Sequence, residues 1–211
     1  MNTENLTAFL ATAALLTMAP GLDTALVLRS AAADGLRHGA LTAVGIAAGC
    51  LCWGTAAAFG LNSLLQAWPL AFDGLRWAGA LYLGWLGARL LINPRQSLAV
   101  DPGAAFPVVN GITAVRRGFM TNVLNPKVGL FYLTLLPQFV PDDTVGGGYA
   151  LVLACLHVLI ALIWFSLLSI LTQGLQFWLR RPGTMRRLDR LTGCAFVALG
   201  AHMTLTAGFS A

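Results

Sequence analysis

The chain has 211 residues, of which 57% are hydrophobic and only 10% are charged, and its net charge is +5 at pH 7. A typical soluble domain carries roughly 25% charged residues, so this composition excludes a soluble globular protein with a polar coat. Apolar runs long enough to cross a hydrocarbon core about 30 Å thick recur along the chain. We therefore predict an all-α polytopic membrane protein.

The apolar runs predict six transmembrane helices. In chain order they cover residues 6–28, 39–61, 70–92, 118–140, 149–171 and 189–209. The third run is the weakest, because Asp73, Arg76 and Arg89 leave only residues 77–88 free of charge. It is retained because its deletion would move the last two arginine clusters to the other side of the membrane. The six spans use the whole chain as a single integral membrane domain, residues 1–211.

The basic residues orient these spans. Of the 13 Lys and Arg residues, eleven fall on one side of the predicted membrane. They are Arg29, Arg37, Arg89, Arg95, Arg116, Arg117, Arg180, Arg181, Arg186, Arg187 and Arg190. By the positive-inside rule this side is cytoplasmic, so both termini are predicted to be periplasmic. Because the positive charge is an orientation signal, it gives no reason to expect nucleic acid as a partner.

Two proline breaks divide the chain into similar halves. Pro20 interrupts the first apolar run and is followed by Gly21, and Pro126 interrupts the fourth run 106 residues later. Each break opens a unit of three helices, and three is odd, so the second unit enters the membrane from the opposite side. This pattern predicts a 3+3 inverted-topology repeat with broken helices 1 and 4. Repeat one covers about residues 1–92, a cytoplasmic linker about 93–117, and repeat two about 118–211.

One acid and one base lie deep in the predicted spans, each beside a break. A charge near mid-membrane costs about 2.5–3.5 kcal/mol on insertion scales, so Asp23 and Lys127 are expected to face the bundle interior. Two interpretations follow: a buried pair that only holds two helices together, or a polar cavity that meets a charged substrate or a proton. Proline also leaves a carbonyl four residues earlier without its amide partner, here that of Leu16 at the first break.

Neutral polar groups complete the predicted site. Asn122 and Asn125 precede the second break directly. Together with Pro20, Gly21 and Pro126 at the breaks, these residues are candidates for substrate and proton binding. A zwitterion would place its carboxylate near Lys127 or a restarted helix N-terminus, and its ammonium near Asp23.

Other functions are less well supported by the residues. His157 and His202 lie in spans five and six and would serve a haem-binding electron carrier as ligands. A membrane-embedded enzyme is the other alternative, although only one aspartate lies deep and His157 pairs only loosely with Ser166 or Ser169, nine or twelve residues away. No cofactor or metal is expected, because the Cys50/Cys52 pair has no matching Cys or His pair. Glycine stripes in span two (Gly45, Gly49, Gly54 and Gly60) and span three (Gly74, Gly79, Gly84 and Gly87) fit packing within one chain or between two copies in a homodimer.

Several stretches resemble the LysE/RhtB family of amino-acid exporters, the lysine exporter and homoserine–threonine efflux type translocators. They are residues 20–23 (Pro-Gly-Leu-Asp) with Arg29, residues 35–39, residues 78–85, residues 117–119, residues 122–127 (Asn-Val-Leu-Asn-Pro-Lys), and residues 131–139. The family often has Pro-Gly-Pro-Asp at the first break, whereas position 22 here is leucine.

The resemblance implies a function and a location. It implies a transporter, not an enzyme, that exports an amino acid or an amino-acid derivative from the cytoplasm across the bacterial inner membrane. It also implies coupling to the proton gradient by antiport, with the lipid bilayer, protons and a small amino acid as partners. Asp23 would then alternate between a proton and the substrate ammonium as the carrier alternates its access.

Overall fold

The computed structural model describes residues 3–61, 69–94, 110–141, 147–172 and 181–207. These residues form helices joined by short breaks, and no β-strand occurs among them. The helices are α1 (Thr3–Met18), α2 (Leu22–Asp34), α3 (Leu36–Ala56), α4 (Pro69–Ile92), α5 (Gly111–Val123), α6 (Pro126–Leu130), α7 (Gly148–Ile170) and α8 (Pro182–Ala207). A π-helical turn, Ala57–Leu61, extends α3.

The first break separates α1 from α2. Pro20 has no amide hydrogen, so it removes one bond from the helical ladder. Gly21 is extended, with φ −157° and ψ −163°, and the axes of the two helices differ by 55°. Leu22 begins α2 directly after it, so the break forms with a single proline.

The second break separates α5 from α6. Asn125 is extended and caps α6, and Pro126 occupies the first turn, where a missing amide hydrogen costs nothing. After Leu130 the chain widens into the π-helical segment Phe131–Leu135 and then tightens into the 3₁₀ segment Leu136–Phe139. The fourth predicted helix is therefore broken at its proline, and its second half departs from α-helical geometry.

Small residues set how closely the helices pack. Helix α3 packs against both α5 and α7. A Cβ on Gly45 would meet the Val115 carbonyl, and one on Gly118 would meet the Thr42 carbonyl, so the α3 and α5 backbones touch here. The glycine stripe therefore serves packing within the chain.

Helices α4 and α8 form a pair of their own. Gly87 and Gly193 face each other across it, since a Cβ on either would clash with the other's carbonyl. The pair meets the rest of the protein at Phe131–Leu135, where Gly79 lies against the Thr134 side chain.

The surface of the helices is apolar, as in a membrane protein. Leu70, Ile92, Ile112 and Leu124 are each at least 75% exposed, and exposed apolar surface on this scale indicates a lipid-facing protein. By length and composition, Leu36–Gly60 and Gly148–Ile170 can each cross a membrane. The bent α1–α2 pair makes a third if it counts as one span, and these are findings on the described residues only. The count of six spans remains a prediction.

The region predicted as a linker is partly helical. Residues 95–109 lie outside the described residues, but α5 begins at Gly111, before the predicted start of the span at 118. Asn110 starts it, because its side chain accepts hydrogen bonds from the Thr113 amide (2.8 Å) and the Thr113 hydroxyl (2.7 Å). Helix α5 therefore begins within the stretch 93–117, and the bounds of the linker stay a prediction.

Candidate substrate-binding site

The two breaks meet in the interior and enclose a small cavity. Its volume is about 20 Å³, which is enough for one water molecule. Helices on both sides of both breaks supply its walls. The lining residues are Leu16, Thr17, Asp23, Thr24, Ile46, Cys50, Asn122, Lys127, Val128, His157, Ala161 and Phe165.

Asp23 and Asn122 form the polar end of this cavity. Asp23 is 6% exposed and Asn122 is 1% exposed. The Asn122 Nδ2 atom donates a hydrogen bond of 2.9 Å to Asp23 Oδ2. The other oxygens, Asp23 Oδ1 and Asn122 Oδ1, are buried without a hydrogen-bond partner. Leaving such an oxygen without a hydrogen bond costs about 1–3 kcal/mol. Each of these two oxygens can therefore accept a hydrogen bond from a bound group.

Lys127 bridges the two breaks. Its Nζ atom donates to the carbonyl oxygens of Leu16 (3.1 Å) and Ala19 (3.2 Å). The Leu16 carbonyl is the acceptor that Pro20 leaves without an amide partner. The Lys127 ammonium therefore donates to the Leu16 carbonyl the hydrogen bond that Pro20 cannot donate. A Cβ on Gly21 would lie 3.1 Å from Nζ, so glycine gives the lysine its room.

Asn125 has a structural part in the same region. Its Oδ1 atom accepts a hydrogen bond of 3.1 Å from the Lys127 amide, which caps α6. Its Nδ2 atom is buried and has no hydrogen-bond partner. Asn125 therefore stabilises the second break through its Oδ1 atom, while its Nδ2 atom forms no hydrogen bond.

A larger cavity of about 890 Å³ lies on the other side of Lys127. It separates the two breaks from the α4–α8 pair. Its lining residues are Pro20, Gly21, Leu22, Ala25, Tyr82, Leu86, Arg89, Leu90, Asn93, Asn125, Pro126, Lys127, Thr192 and Phe196. The predicted site residues are thus all brought together: Asp23 and Asn122 at the small cavity, the prolines, Gly21 and Asn125 at the large one, and Lys127 at both.

An aromatic cluster packs around His157 beside the small cavity. The His157 Nε2 atom lies 3.1 Å from Thr17 Oγ1, and Nδ1 lies 2.9 Å from the Tyr132 hydroxyl. Phe131 packs against the imidazole with 4.9 Å between ring centroids. Both ring nitrogens are engaged, and His202 is exposed on the surface, so the geometry gives the haem-ligand hypothesis no support.

Sequence reasoning missed two residues of this region, Arg89 and Tyr132, and one buried acid elsewhere, Asp189. Arg89 was interpreted only as an orientation charge, yet it lines the larger cavity. It lies seven residues after Tyr82, on the same helical face, and this spacing was the available signal. Tyr132 had no signal, because its role depends on His157 of another helix. Asp189, at the start of the sixth predicted span, is fully buried.

We expect Tyr132→Phe to destabilise the protein. The change leaves a fully buried His157 nitrogen without its partner, which costs about 1–3 kcal/mol. For a chain of this size a loss of 1 kcal/mol lowers Tm by roughly 2–4 °C, measured as thermal unfolding in detergent. Tyr149→Phe is the matched control, because the Tyr149 hydroxyl is buried without a partner and its removal should not lower Tm. Equal Tm values for the two variants would contradict the role of the Tyr132–His157 bond.

Comparison with known proteins places the chain in a family. The family model described as LysE type translocator matches residues 14–207. The chain is 28% identical to the uncharacterized membrane protein YrhP of Bacillus subtilis (strain 168), over 96% of this chain and 100% of that one.

Two further relatives have functional names. The homoserine/homoserine lactone efflux protein of Salmonella typhi is 27% identical, over 92% of this chain and 93% of its own. The leucine efflux protein of Enterobacter sp. (strain 638) is 30% identical, over 88% of each chain. No solved structure matches. Since the family model covers most of the chain, the protein belongs to the LysE type translocator family.

Proposed function

We propose that the protein exports an amino acid or an amino-acid derivative across the bacterial inner membrane by proton antiport. The family and the two efflux relatives support export of this class of solute. The observation that carries the proposal is the pair of buried oxygens without a donor, Asp23 Oδ1 and Asn122 Oδ1, beside the Lys127 ammonium. A substrate ammonium or a proton supplies what these acceptors lack, and a carboxylate matches the lysine.

Antiport follows if proton and ammonium compete for Asp23. The carboxylate is buried, so a second cation cannot share it without a large cost. When Asp23 carries the proton, the substrate ammonium loses its counter-charge and leaves. When the proton leaves, the carboxylate accepts the next substrate. Each turnover then exchanges one substrate for one proton.

Alternating access requires a site that is open to one side at a time. The large cavity reaches from the breaks toward Arg89 and Asn93, where α4 ends. The predicted orientation makes that side cytoplasmic. At the opposite side of the break, the described residues Phe9, Phe131 and Tyr132 are buried and pack together around His157. With both termini periplasmic, as the arginine distribution predicts, this arrangement supports an inward-facing state.

The helix packing supports the inverted repeat. In a 3+3 repeat, spans two and five correspond, as do three and six. Helix α3 packs on α7, and α4 packs on α8, as a pseudo-twofold axis between the units would require. The two breaks, at corresponding positions, then meet at the centre.

Reconstitution tests the proposal directly. Purified protein in proteoliposomes is loaded with labelled amino acids, and efflux is followed after a pH gradient is imposed. We expect gradient-dependent efflux of at least one amino acid above the level of protein-free liposomes. Efflux that ignores the gradient would contradict antiport, and its absence for a full panel of amino acids and their derivatives would contradict export.

We expect Lys127→Met to weaken transport of carboxylate substrates selectively. Loss of a charged hydrogen bond costs about 1.5–3 kcal/mol, which corresponds to about a 10–100-fold fall in kcat/KM. The measurement compares the best substrate of the panel with its amide, which has no carboxylate. A purely structural role would lower both rates equally, since the carbonyls of Leu16 and Ala19 lose their donor in either case. Lys127→Arg keeps the charge and serves as the control.

A further inference from the structure

The Asp23–Asn122 pair combines one hydrogen bond with two unpaired oxygens. The bond runs from Asn122 Nδ2 to Asp23 Oδ2 and is 2.9 Å long. The second oxygen of each side chain, Asp23 Oδ1 and Asn122 Oδ1, is buried without a hydrogen-bond partner. Two acceptors cannot bond to each other, because neither carries a hydrogen. One hydrogen placed between these two oxygens is enough to pair them both.

The orientation of the Asn122 amide is set from two sides. A carboxylate has no hydrogen to donate, so the amide must present its NH₂ group to Asp23. On the other side the amide lies directly on the backbone of α3. A Cβ on Gly49 would lie 2.6 Å from Asn122 Oδ1 and 2.9 Å from Asn122 Cβ. The glycine therefore leaves room for the amide, and close packing against α3 resists its rotation.

A protonated Asp23 complements this amide at both of its polar atoms. A carboxylic acid offers one O–H donor and one acceptor oxygen, and a primary amide offers a matching acceptor and donor. When a proton adds to a lone pair of Asp23 Oδ1, one O–H bond forms, no bond breaks, and the charge of the side chain changes from −1 to zero. The acid and the amide can then form two parallel hydrogen bonds, Asn122 Nδ2 to Asp23 Oδ2 and Asp23 Oδ1 to Asn122 Oδ1.

We infer that Asn122 holds the transported proton together with Asp23, and that this closed pair is the form in which the empty carrier returns. The inference rests on the proposed antiport. With neither proton nor substrate, the site keeps a buried charge and two unpaired acceptors, and both oppose its passage through a closed state. With the proton, the pair is neutral and both oxygens are bonded. Asn122 thereby restricts the return step to the protonated carrier, which prevents export without proton exchange.

Three ionisable side chains face Asp23 from other helices across the small cavity. They are Lys127 of α6, Cys50 of α3 and His157 of α7. The Lys127 ammonium donates to backbone carbonyls of the first break, and both ring nitrogens of His157 are engaged. All three side chains are unchanged in an Asn122 variant. A difference between that variant and the wild type therefore reports on the amide.

Infrared difference spectroscopy tests the pair itself. Protein with isotope-labelled asparagine side-chain carbonyls is compared in detergent at neutral and acidic pH. As the Asp23 carboxyl C=O band appears, one labelled amide C=O band should move to lower wavenumber, because a carbonyl that accepts a hydrogen bond has a weaker C=O bond. Asp23→Asn should lose both changes, and Asn122→Leu should lose the amide change. A carboxyl band that appears without the amide change would overturn the inference.

Two transport assays separate the return of the empty carrier from the movement of the loaded one. Net efflux driven by a pH gradient needs both steps, whereas exchange of labelled for unlabelled substrate needs only the loaded carrier. Asn122→Leu should lower the ratio of net efflux to exchange about 3–10-fold, the effect of one hydrogen bond lost from the returning state. A merely structural role would lower both rates and leave the ratio at its wild-type value.

Thr42→Val is the matched control for these assays. The Thr42 hydroxyl is buried and donates to Ser30 Oγ over 3.0 Å, and Thr42 lines neither cavity, so its loss should leave the ratio unchanged. If Asn122→Leu does not fold, Gly49→Ala replaces it, because its methyl group would displace the amide and should lower the same ratio. An unchanged ratio in the folded variant overturns the inference while export stands. If the wild-type protein exchanges no amino acid or derivative, the proposed function itself fails.

Discussion

Asp23→Asn is expected to abolish export driven by a pH gradient in a protein that still folds. Asparagine has nearly the shape of aspartate, and its side chain still accepts the bond from Asn122 Nδ2, which is 2.9 Å long in the native protein. What it lacks is the negative charge that holds either a proton or an ammonium. The variant can therefore neither carry a proton nor pair with the substrate. We expect at least a 10–100-fold loss, the equivalent of about 1.5–3 kcal/mol for a charged hydrogen bond.

The measurement is gradient-driven efflux from proteoliposomes, with thermal unfolding in detergent as the folding check. Asp34→Asn is the matched control, since it makes the same change on the same helix at a half-buried position outside both cavities. It should export at the wild-type rate. Coupling that survives Asp23→Asn would show that the proton is carried elsewhere.

Gly45→Ala is expected to prevent the native packing of α3 against α5. A methyl group at this position would meet the Val115 carbonyl and the backbone of Phe119. Backbone atoms of two packed helices cannot move aside as a flexible side chain does, so the helices must separate. Overpacking costs about 1–3 kcal/mol even where side chains can adjust, and here the cost is larger.

Thermal unfolding and monodispersity in detergent measure this effect. Gly84→Ala is the matched control: it lies inside helix α4, and a Cβ there meets nothing within 4 Å. Because alanine favours helix by about 1 kcal/mol over glycine, Gly84→Ala should keep or raise Tm. If both variants unfold at the wild-type temperature, the α3–α5 contact is looser than described.

The sequence predicted the breaks because proline and glycine act locally. Pro20 and Pro126 lack an amide hydrogen in any surroundings, and the unpaired Leu16 carbonyl follows from the position of Pro20 alone. The proximity of Asp23, Asn122 and Lys127 was also expected. Asp23 and Lys127 should face the protein interior because charge is costly in a membrane, and Asn122 lies close to Lys127 in the sequence. Their assigned roles in binding stay predictions.

What sequence reasoning missed depends on how helices rotate against each other. Arg89 lines a cavity because α4 turns that face toward the breaks, and many other rotations satisfy the same apolar run. The Tyr132–His157 bond involves a residue of the π-helical segment Phe131–Leu135, and such segments are rare and are not predicted by an apolar run. Helix α5 begins before the predicted span because Asn110 caps it, and Asn110 lies within the stretch predicted as a linker.

The contact between Gly45 and Val115 bears on which parts of the carrier move. Helix α3 belongs to the first half of the chain and α5 to the second, and their backbones touch. A movement of the first half of the chain relative to the second would break this contact in every transport cycle. The α4–α8 pair, one helix from each half, meets the remainder along a much smaller surface at Phe131–Leu135. If access alternates as proposed above, the boundary between the part that stays fixed and the part that moves would cut across the two halves, and the α4–α8 pair would be the moving part.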